Sequence, residues 1–294
     1  MRPPTLPVAP SNIAVYSTLA SSATAGAVMF QHAQAALSIV ETLRRERPRD
    51  SALLDDLQKS EFEMGRSFTV LANNPEAIVY YRRAISDSSA SSAQNVALDH
   101  KSLGAVLIRT GALEEALAEY RAATSLDEER VRKEPADGRA KLDLSYDYAD
   151  WGLILVKLHQ AAAAVEKYRD AEKLRAAMVA ADPRDARAAS GLVSVEWRMG
   201  YAMAHAGDLD GAARAFRRAA TEAERMISAL PDSKMGKSTL ADACWNIGLC
   251  YKDQLASCSK AEPWFLRSRQ LFHELNQPTP NIDKALAECS AGSR

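Results

Sequence analysis

Five glycines at matched positions constrain this chain more than any other feature. In four stretches a glycine is followed by alanine twelve residues on, an aromatic at sixteen and alanine at nineteen. The sets are Gly65, Ala77, Tyr81, Ala84; Gly104, Ala116, Tyr120, Ala123; Gly152, Ala164, Tyr168, Ala171; and Gly200, Ala212, Phe216, Ala219. A fifth, Gly248, Ala261, Phe265, Ser268, fits if its inter-helix turn is one residue longer. A glycine inside a helix costs about 1 kcal/mol against alanine, so its recurrence at one phase signals a shared steric need. The expected cause is close approach of a second helix, its alanine meeting the glycine and its aromatic filling the gap beside it. The chain therefore reads as a helix-turn-helix hairpin repeated in tandem.

An apolar residue precedes each glycine: Met64, Leu103, Trp151, Met199 and Ile247. Apolar, glycine, alanine, aromatic and alanine in that order resemble the tetratricopeptide repeat, over about residues 50 to 275. The resemblance implies an all-α fold, a right-handed superhelical solenoid of tandem repeats. One departure has a physical reading. The family's period is about 34 residues, whereas Gly104, Gly152, Gly200 and Gly248 stand 48 apart. The surplus of 14 is 7 per helix, close to two whole turns at about 3.6 residues each, so elongated helices keep their buried stripes facing one another. Pro48, Pro135, Pro183 and Pro231 each precede a glycine by 17 residues, where a helix must stop. Asp50, Asp137 and Asp185 follow as N-caps. Between Gly65 and Gly104 the spacing is 39, and the serine-rich turn from Asp87 to Ser92 replaces the extra turns.

In chain order, residues 1–25 read as a flexible lead-in rich in Pro, Ser and Ala. Residues 26–48 read as a half-repeat or capping helix with Ala33, Ala36, Leu37, Val40 and Leu43 on one face. It is either a native cap or the point where a longer array is entered partway. Five hairpins occupy 49–277, at about 51–86, 92–134, 137–182, 185–230 and 234–276. Gly111 and Gly207 stand at inter-helix turns, where left-handed backbone is wanted; Asn73-Asn74-Pro75 serves that need in the first copy. His159 in the third predicts a differently built turn. Residues 278–294 read as a short cap, with a helix from Ile282 to Cys289, and a tail.

The formal charge is −1, which argues against nucleic acid or an anionic membrane as the partner. Ala23-Thr24-Ala25 has the form of a signal cleavage site, yet Arg2 is the only early cation and polar residues interrupt the apolar run; the expected address is cytoplasmic. Cys244, Cys250, Cys258 and Cys289 lack C-x-x-C spacing and are read as reduced thiols. Gly236-Lys237-Ser238 lacks the first glycine of a phosphate loop, Pro231 standing there. The histidines are scattered, and Glu114-Glu115 and Asp127-Glu128-Glu129 read as exposed helix faces. No catalytic residue, cofactor, metal or small-molecule substrate is expected.

In the repeat family the first helix of each hairpin lines a concave groove. Carried over copy by copy, its positions select Lys59, Phe62 and Arg66; Leu98, Lys101 and Arg109; Tyr146 and Lys157; Trp197, Tyr201 and His205; and Trp245 and Lys252. The first half of this set is basic and the second aromatic, types that dominate interface energetics and that suit an acidic and apolar partner segment. Phe62, Trp197 and Trp245 lie one residue past the family's usual large aromatic, where Glu61 and Glu196 stand instead, so a core role is the competing reading. The two-carboxylate clamp of the chaperone-binding variety lacks its asparagines here.

The function these features imply is a non-catalytic protein-interaction scaffold. Alternatively, the 48-residue period, with Ala180-Ala-Asp-Pro183 and Glu115 to Ala123, resembles repeats following the kinase domain in many bacterial serine/threonine kinases, which would make this a regulatory or sensory tail. The chain itself carries none of the kinase motifs. A third reading is self-association through an exposed repeat end.

Overall fold

The computed structural model describes residues 15–229 and 233–292. Those residues form α-helices joined by short links, with no strand among them. Contacts divide the chain after Leu158 into two compact units.

The N-terminal unit contains α1 (Val15–Glu46), α2 (Ala52–Val70), α3 (Asn74–Ser86), α4 (Ala93–Thr110), α5 (Leu113–Lys133) and α6 (Gly138–Lys157). Residues 1–14 of the expected lead-in lie outside the described residues, and its remainder belongs to α1. Ala33, Leu37 and Val40 of that helix pack with Leu57 and Met64 of α2, and Phe30 meets Phe68 edge-on at 5.3 Å between ring centres. Ala36 is exposed and Leu43 half-buried, so the apolar stripe is narrower than its sequence suggested. The short repeat interval has a direct cause: α3 has 13 residues where α5 has 21, and a single 3-10 turn at Ser88–Ala90 completes the link.

The C-terminal unit contains α7 (Ala161–Ala181), α8 (Ala186–His205), α9 (Leu209–Ala229), α10 (Lys234–Leu249), α11 (Cys258–Glu274) and α12 (Pro280–Gly292). Pro48, Pro135 and Pro183 all fall in inter-helix links; Pro231 lies outside the described residues. Asp137 and Asp185 cap their helices, each accepting from two backbone amides at 2.8–3.0 Å. Asp50 accepts from the Ala52 amide at 3.1 Å while Ser51 takes the cap position.

The repeated glycine is read correctly as a close-approach site, with the aromatic ring its nearest neighbour and, at Gly104, the Ala116 carbonyl following at 3.6 Å from an added Cβ. A Cβ on Gly65 would stand 2.7 Å from the Tyr81 ring, on Gly104 2.7 Å from Tyr120, and on Gly200 and Gly248 2.5 Å from Phe216 and Phe265. The ring thus occupies the space of the missing side chain, and the alanines Ala77, Ala116, Ala212 and Ala261 are wholly buried beside it.

Left-handed backbone recurs seven residues after each of the first four glycines. Gly111 and Gly207 adopt φ of 83° and 87°, and Ala72 and His159 adopt 57° and 59°. The third turn is therefore built like the others despite its histidine, and in the first copy Ala72 makes the turn while Asn73 caps α3. In the fifth copy the additional residue is absorbed by a π-helical turn at Cys250–Gln254, the usual way a helix accommodates one insertion.

The cysteine expectation is corrected. Cys258 and Cys289 form a disulfide, with Cα atoms 5.1 Å apart, while Cys244 and Cys250 are buried free thiols. The pairing joins the first residue of α11 to the last turns of α12, a contact that C-x-x-C spacing rules cannot anticipate. No helix among the described residues is long and apolar enough to cross a membrane.

Candidate protein-binding faces

In the N-terminal unit α2 and α4 lie side by side, and the side chains expected to line a groove divide into those at the surface and those turned inward. Lys59 and Arg66 are exposed but already engaged within α2, to Asp55 at 2.6 Å and Glu63 at 2.8 Å. Phe62 is half-buried, with its ring 5.7 Å from that of Tyr81 and the Arg66 guanidinium 5.9 Å from its centre. Leu98 is 45% exposed and Tyr146 41%. Arg109 donates to the Asn74 side chain at 3.3 Å, and Lys157 is half-buried at the end of α6.

Lys101 is placed elsewhere than expected. Its ammonium reaches inward to Asp127 at 2.7 Å and Asp147 at 3.1 Å, both fully buried. Arg130 joins Asp127 at 2.5 Å and Asp143 at 3.3 Å. Asp127 is therefore interior, not part of an exposed acidic face. Burial pulls the lysine's pKa down, but the two carboxylates outweigh it and hold the ammonium above its ordinary value. Burial pushes Asp147 up to about 8, while Asp127 is held below the usual carboxylate range by Lys101 and Arg130 against the cost of burial. This network ties α4, α5 and α6 together and leaves Lys101 no free charge for a partner.

In the C-terminal unit the aromatic set is also mostly inward. Trp245 is 7% exposed, its ring 5.4 Å from that of Phe265 over Gly248, so it is a core residue. Tyr201 is buried with its ring 4.4 Å from His205. His205 itself is exposed, and partial burial and the nearby His159 lower its pKa. Trp197 is half-buried beneath the Arg198 guanidinium at 5.6 Å. Lys252 bridges Asp253 at 3.1 Å and Glu288 of α12 at 2.8 Å, securing the terminal helix. Tyr201 and Trp245 thus face the helix packing and His205 the surface, with Trp197 between.

Sequence reasoning overlooked a second repeating feature. Glu61 and Glu196, each four residues before its glycine, are buried and pair with Arg83 at 2.7 Å and Arg218 at 3.4 Å. Both arginines stand eighteen residues after the glycine, so the pair was visible as a co-recurring Glu and Arg. Burial raises Glu61 to about 7 and Glu196 to about 8 against the pull of those arginines. A third buried acid, Asp99, gave no such signal. It accepts from the Gln58 amide at 2.6 Å, and burial raises it to about 7.

The sequence matches no family model and no curated protein. Solved structures share the architecture. The crystal structure of BtubC (BKLC) from P. vanneervenii superposes with a TM-score of 0.64 at 16% identity, covering 87% of this chain and 94% of that one. The apo form of RapI gives 0.55 at 15% identity, covering 94% and 72%. The fold is tetratricopeptide-like. A looser likeness, TM-score 0.43 at 17% identity over 85% of this chain and 96% of the other, is to YrrB, described as a TPR protein with an unusual peptide-binding site. At such identities the likenesses to BtubC and RapI show the fold alone.

Proposed function

We propose that this chain is a non-catalytic protein-interaction scaffold whose N-terminal unit holds a segment of a partner protein against the α2 and α4 face. The observation that carries this reading is that exposed Leu98 and half-buried Phe62 line one hollow of about 200 Å³ between those helices. Exposed Tyr146 on α6 belongs to the same class of first-helix residue. An acidic and apolar partner, expected from the run of cations, receives less support, because Lys59, Arg66 and Lys101 are engaged internally. The kinase-tail reading rests on the repeat period and the phrases at 115–123 and 180–183 alone. A cytoplasmic address is part of the proposal and faces a direct test in the Cys258–Cys289 bond, since disulfides seldom persist in a reducing compartment.

Selecting peptides from a random library on the immobilised protein, then measuring their affinity by fluorescence anisotropy, tests the scaffold reading. Phe62→Ala with Leu98→Ala should weaken selected peptides by at least about tenfold, as for loss of central contacts worth 1.4 kcal/mol or more, with helical circular dichroism unchanged. Affinity indifferent to those changes, or no peptide selected, removes it. Light scattering that shows concentration-dependent mass would favour self-association instead.

A further inference from the structure

The hollow between α2 and α4 contains a carboxylate whose hydrogen bonding is incomplete. Asp99 is 1% exposed. Its Oδ2 accepts from Gln58 Nε2 at 2.6 Å, but its Oδ1, equally buried, meets no donor. The carboxylate itself fixes the Gln58 amide in this sense, since the Ser91 hydroxyl, 3.1 Å from the amide oxygen, has one proton and also faces Asp55 at 3.0 Å. Turning the amide over would set two oxygens against each other. Buried polar atoms in native proteins are almost always paired, and one left over calls for an external partner.

The surroundings specify that partner. Phe62 and Leu98 supply apolar walls, and Asp99 lies among the lining residues. About 200 Å³ falls short of the roughly 300–1,000 Å³ of small-molecule pockets but accommodates one long side chain. The nearby cations are neutralised before any ligand arrives: Lys59 by Asp55 and Arg66 by Glu63. What remains uncompensated is negative. A guanidinium matches this better than an ammonium, since it is planar, weakly hydrated, stacks on aromatic rings and offers forked donors to a carboxylate. The chain already places one such group near the Phe62 ring, that of Arg66.

We propose that the hollow receives an arginine side chain of the partner protein, its guanidinium donating to Asp99 Oδ1 and its stem lying between Phe62 and Leu98. The site thus selects a basic anchor, opposite in sign to what the cations of α2 and α4 suggest. This rests on the scaffold reading for the source of the arginine, but not for the chemistry of the pocket.

The pocket is tested without any partner, by titrating the full ¹⁵N-labelled chain with N-acetyl-arginine methylamide and following backbone amides by NMR. The expected result is saturable shifts at Gln58 to Phe62 and Asn95 to Asp99, at least about tenfold weaker with the neutral isosteric citrulline derivative, the loss of a charge-assisted bond of about 1.5 kcal/mol or more. Asp99→Asn, which still accepts from Gln58, should reduce arginine binding to the citrulline level with its helical spectrum intact. Equal shifts with arginine, citrulline and norleucine derivatives would make the hollow a nonpolar or water-filled gap and overturn the proposal. So would arginine shifts confined to other residues, or an Asp99→Asn chain that binds as the wild type does. The arginine and citrulline comparison stands on the wild-type chain alone if the variant misfolds. Library peptides that bind without arginine dependence would sink this inference and leave the scaffold intact; failure to select peptides, with arginine shifts present, would do the reverse.

Discussion

At Ala72 the backbone holds a left-handed conformation, φ 57°, that Gly111 and Gly207 hold at the same repeat position. For a residue with a Cβ this costs about 1–2 kcal/mol, partly offset because glycine makes the unfolded chain freer by about 0.4–1 kcal/mol. Ala72→Gly should therefore stabilise the N-terminal unit by up to about 1 kcal/mol, seen as a higher urea midpoint with the same slope. An unchanged or lower midpoint would mean the turn is not strained. Lys101 gives the opposite sign: Lys101→Ala leaves Asp127 and Asp147 buried with less compensation, and breaking such a network costs about 3–5 kcal/mol. A loss below about 1 kcal/mol, the scale of a surface pair, would place the lysine in solvent after all. Glu196 supplies a pH test. Burial raises its pKa to about 8 from an ordinary 4.5, so between those values the folded chain keeps a proton that the unfolded chain has released. Stability must then fall as pH rises through that window. Glu196→Gln should flatten the decline between pH 5 and 8, measured by urea unfolding at each pH; an equally steep decline assigns it to other groups. The left-handed turn and the buried Glu196 were partly legible in sequence, through Gly111 and Gly207 and through the recurrent Glu and Arg; the inward turn of Lys101 was not. Asp99 was not, because a lone acid in a helix looks alike whether it faces water or Gln58.

Helix lengths were legible because their cause is periodic: a surplus of whole turns preserves which side of a helix is buried, and the proline and aspartate punctuation marks the same phase. Side-chain direction within those helices was less so. A shift of one residue turns a position by about 100°, enough to move Trp245 from a groove onto Phe265 and Lys101 from a groove onto Asp127. Family positions drawn from a shorter repeat therefore carry over for the glycine contact, which fixes the crossing point, but not for side chains beside it: Lys101, Tyr201 and Trp245, within three residues of their glycines, turn inward, while Lys59 and Arg109, five or six away, stay exposed. The terminal cap was legible as an element but not in its attachment. Lys252 of the π-helical turn binds Glu288 of α12 and Cys258 of α11 binds Cys289 of α12, and both partners are remote in sequence. With its cysteines 31 positions apart in sequence, the bond stabilises by about 3–4 kcal/mol on chain-entropy grounds. Cys289→Ser should accordingly leave α1 to α6 unaffected while limited proteolysis begins to cut the link between α11 and α12. Resistance equal to that of the wild type would show that Ile282 and Ala285, both buried, hold α12 unaided.

For the molecule as a whole, the repeated glycine makes stability a sum of local interfaces rather than the property of one shared core. Gly104 and Gly200 lie in different units and face different rings, Tyr120 and Phe216. Adding a methyl at either forces a ring to move: overpacking of this kind costs about 1–3 kcal/mol, against roughly 1 kcal/mol recovered from the better helix former. Gly104→Ala and Gly200→Ala should each destabilise, and the double variant should lose the sum of the two within about 0.5 kcal/mol, the tolerance for sites without common partners. Hydrogen exchange should locate each loss, with protection falling in α4 and α5 for the first and in α8 and α9 for the second. A double variant whose loss departs from that sum by several times the tolerance, or exchange that quickens evenly along the chain, would require a single cooperative core. It would also undercut the functional reading, because a face that accepts a partner between α2 and α4 presupposes that those helices can adjust without the rest of the chain responding.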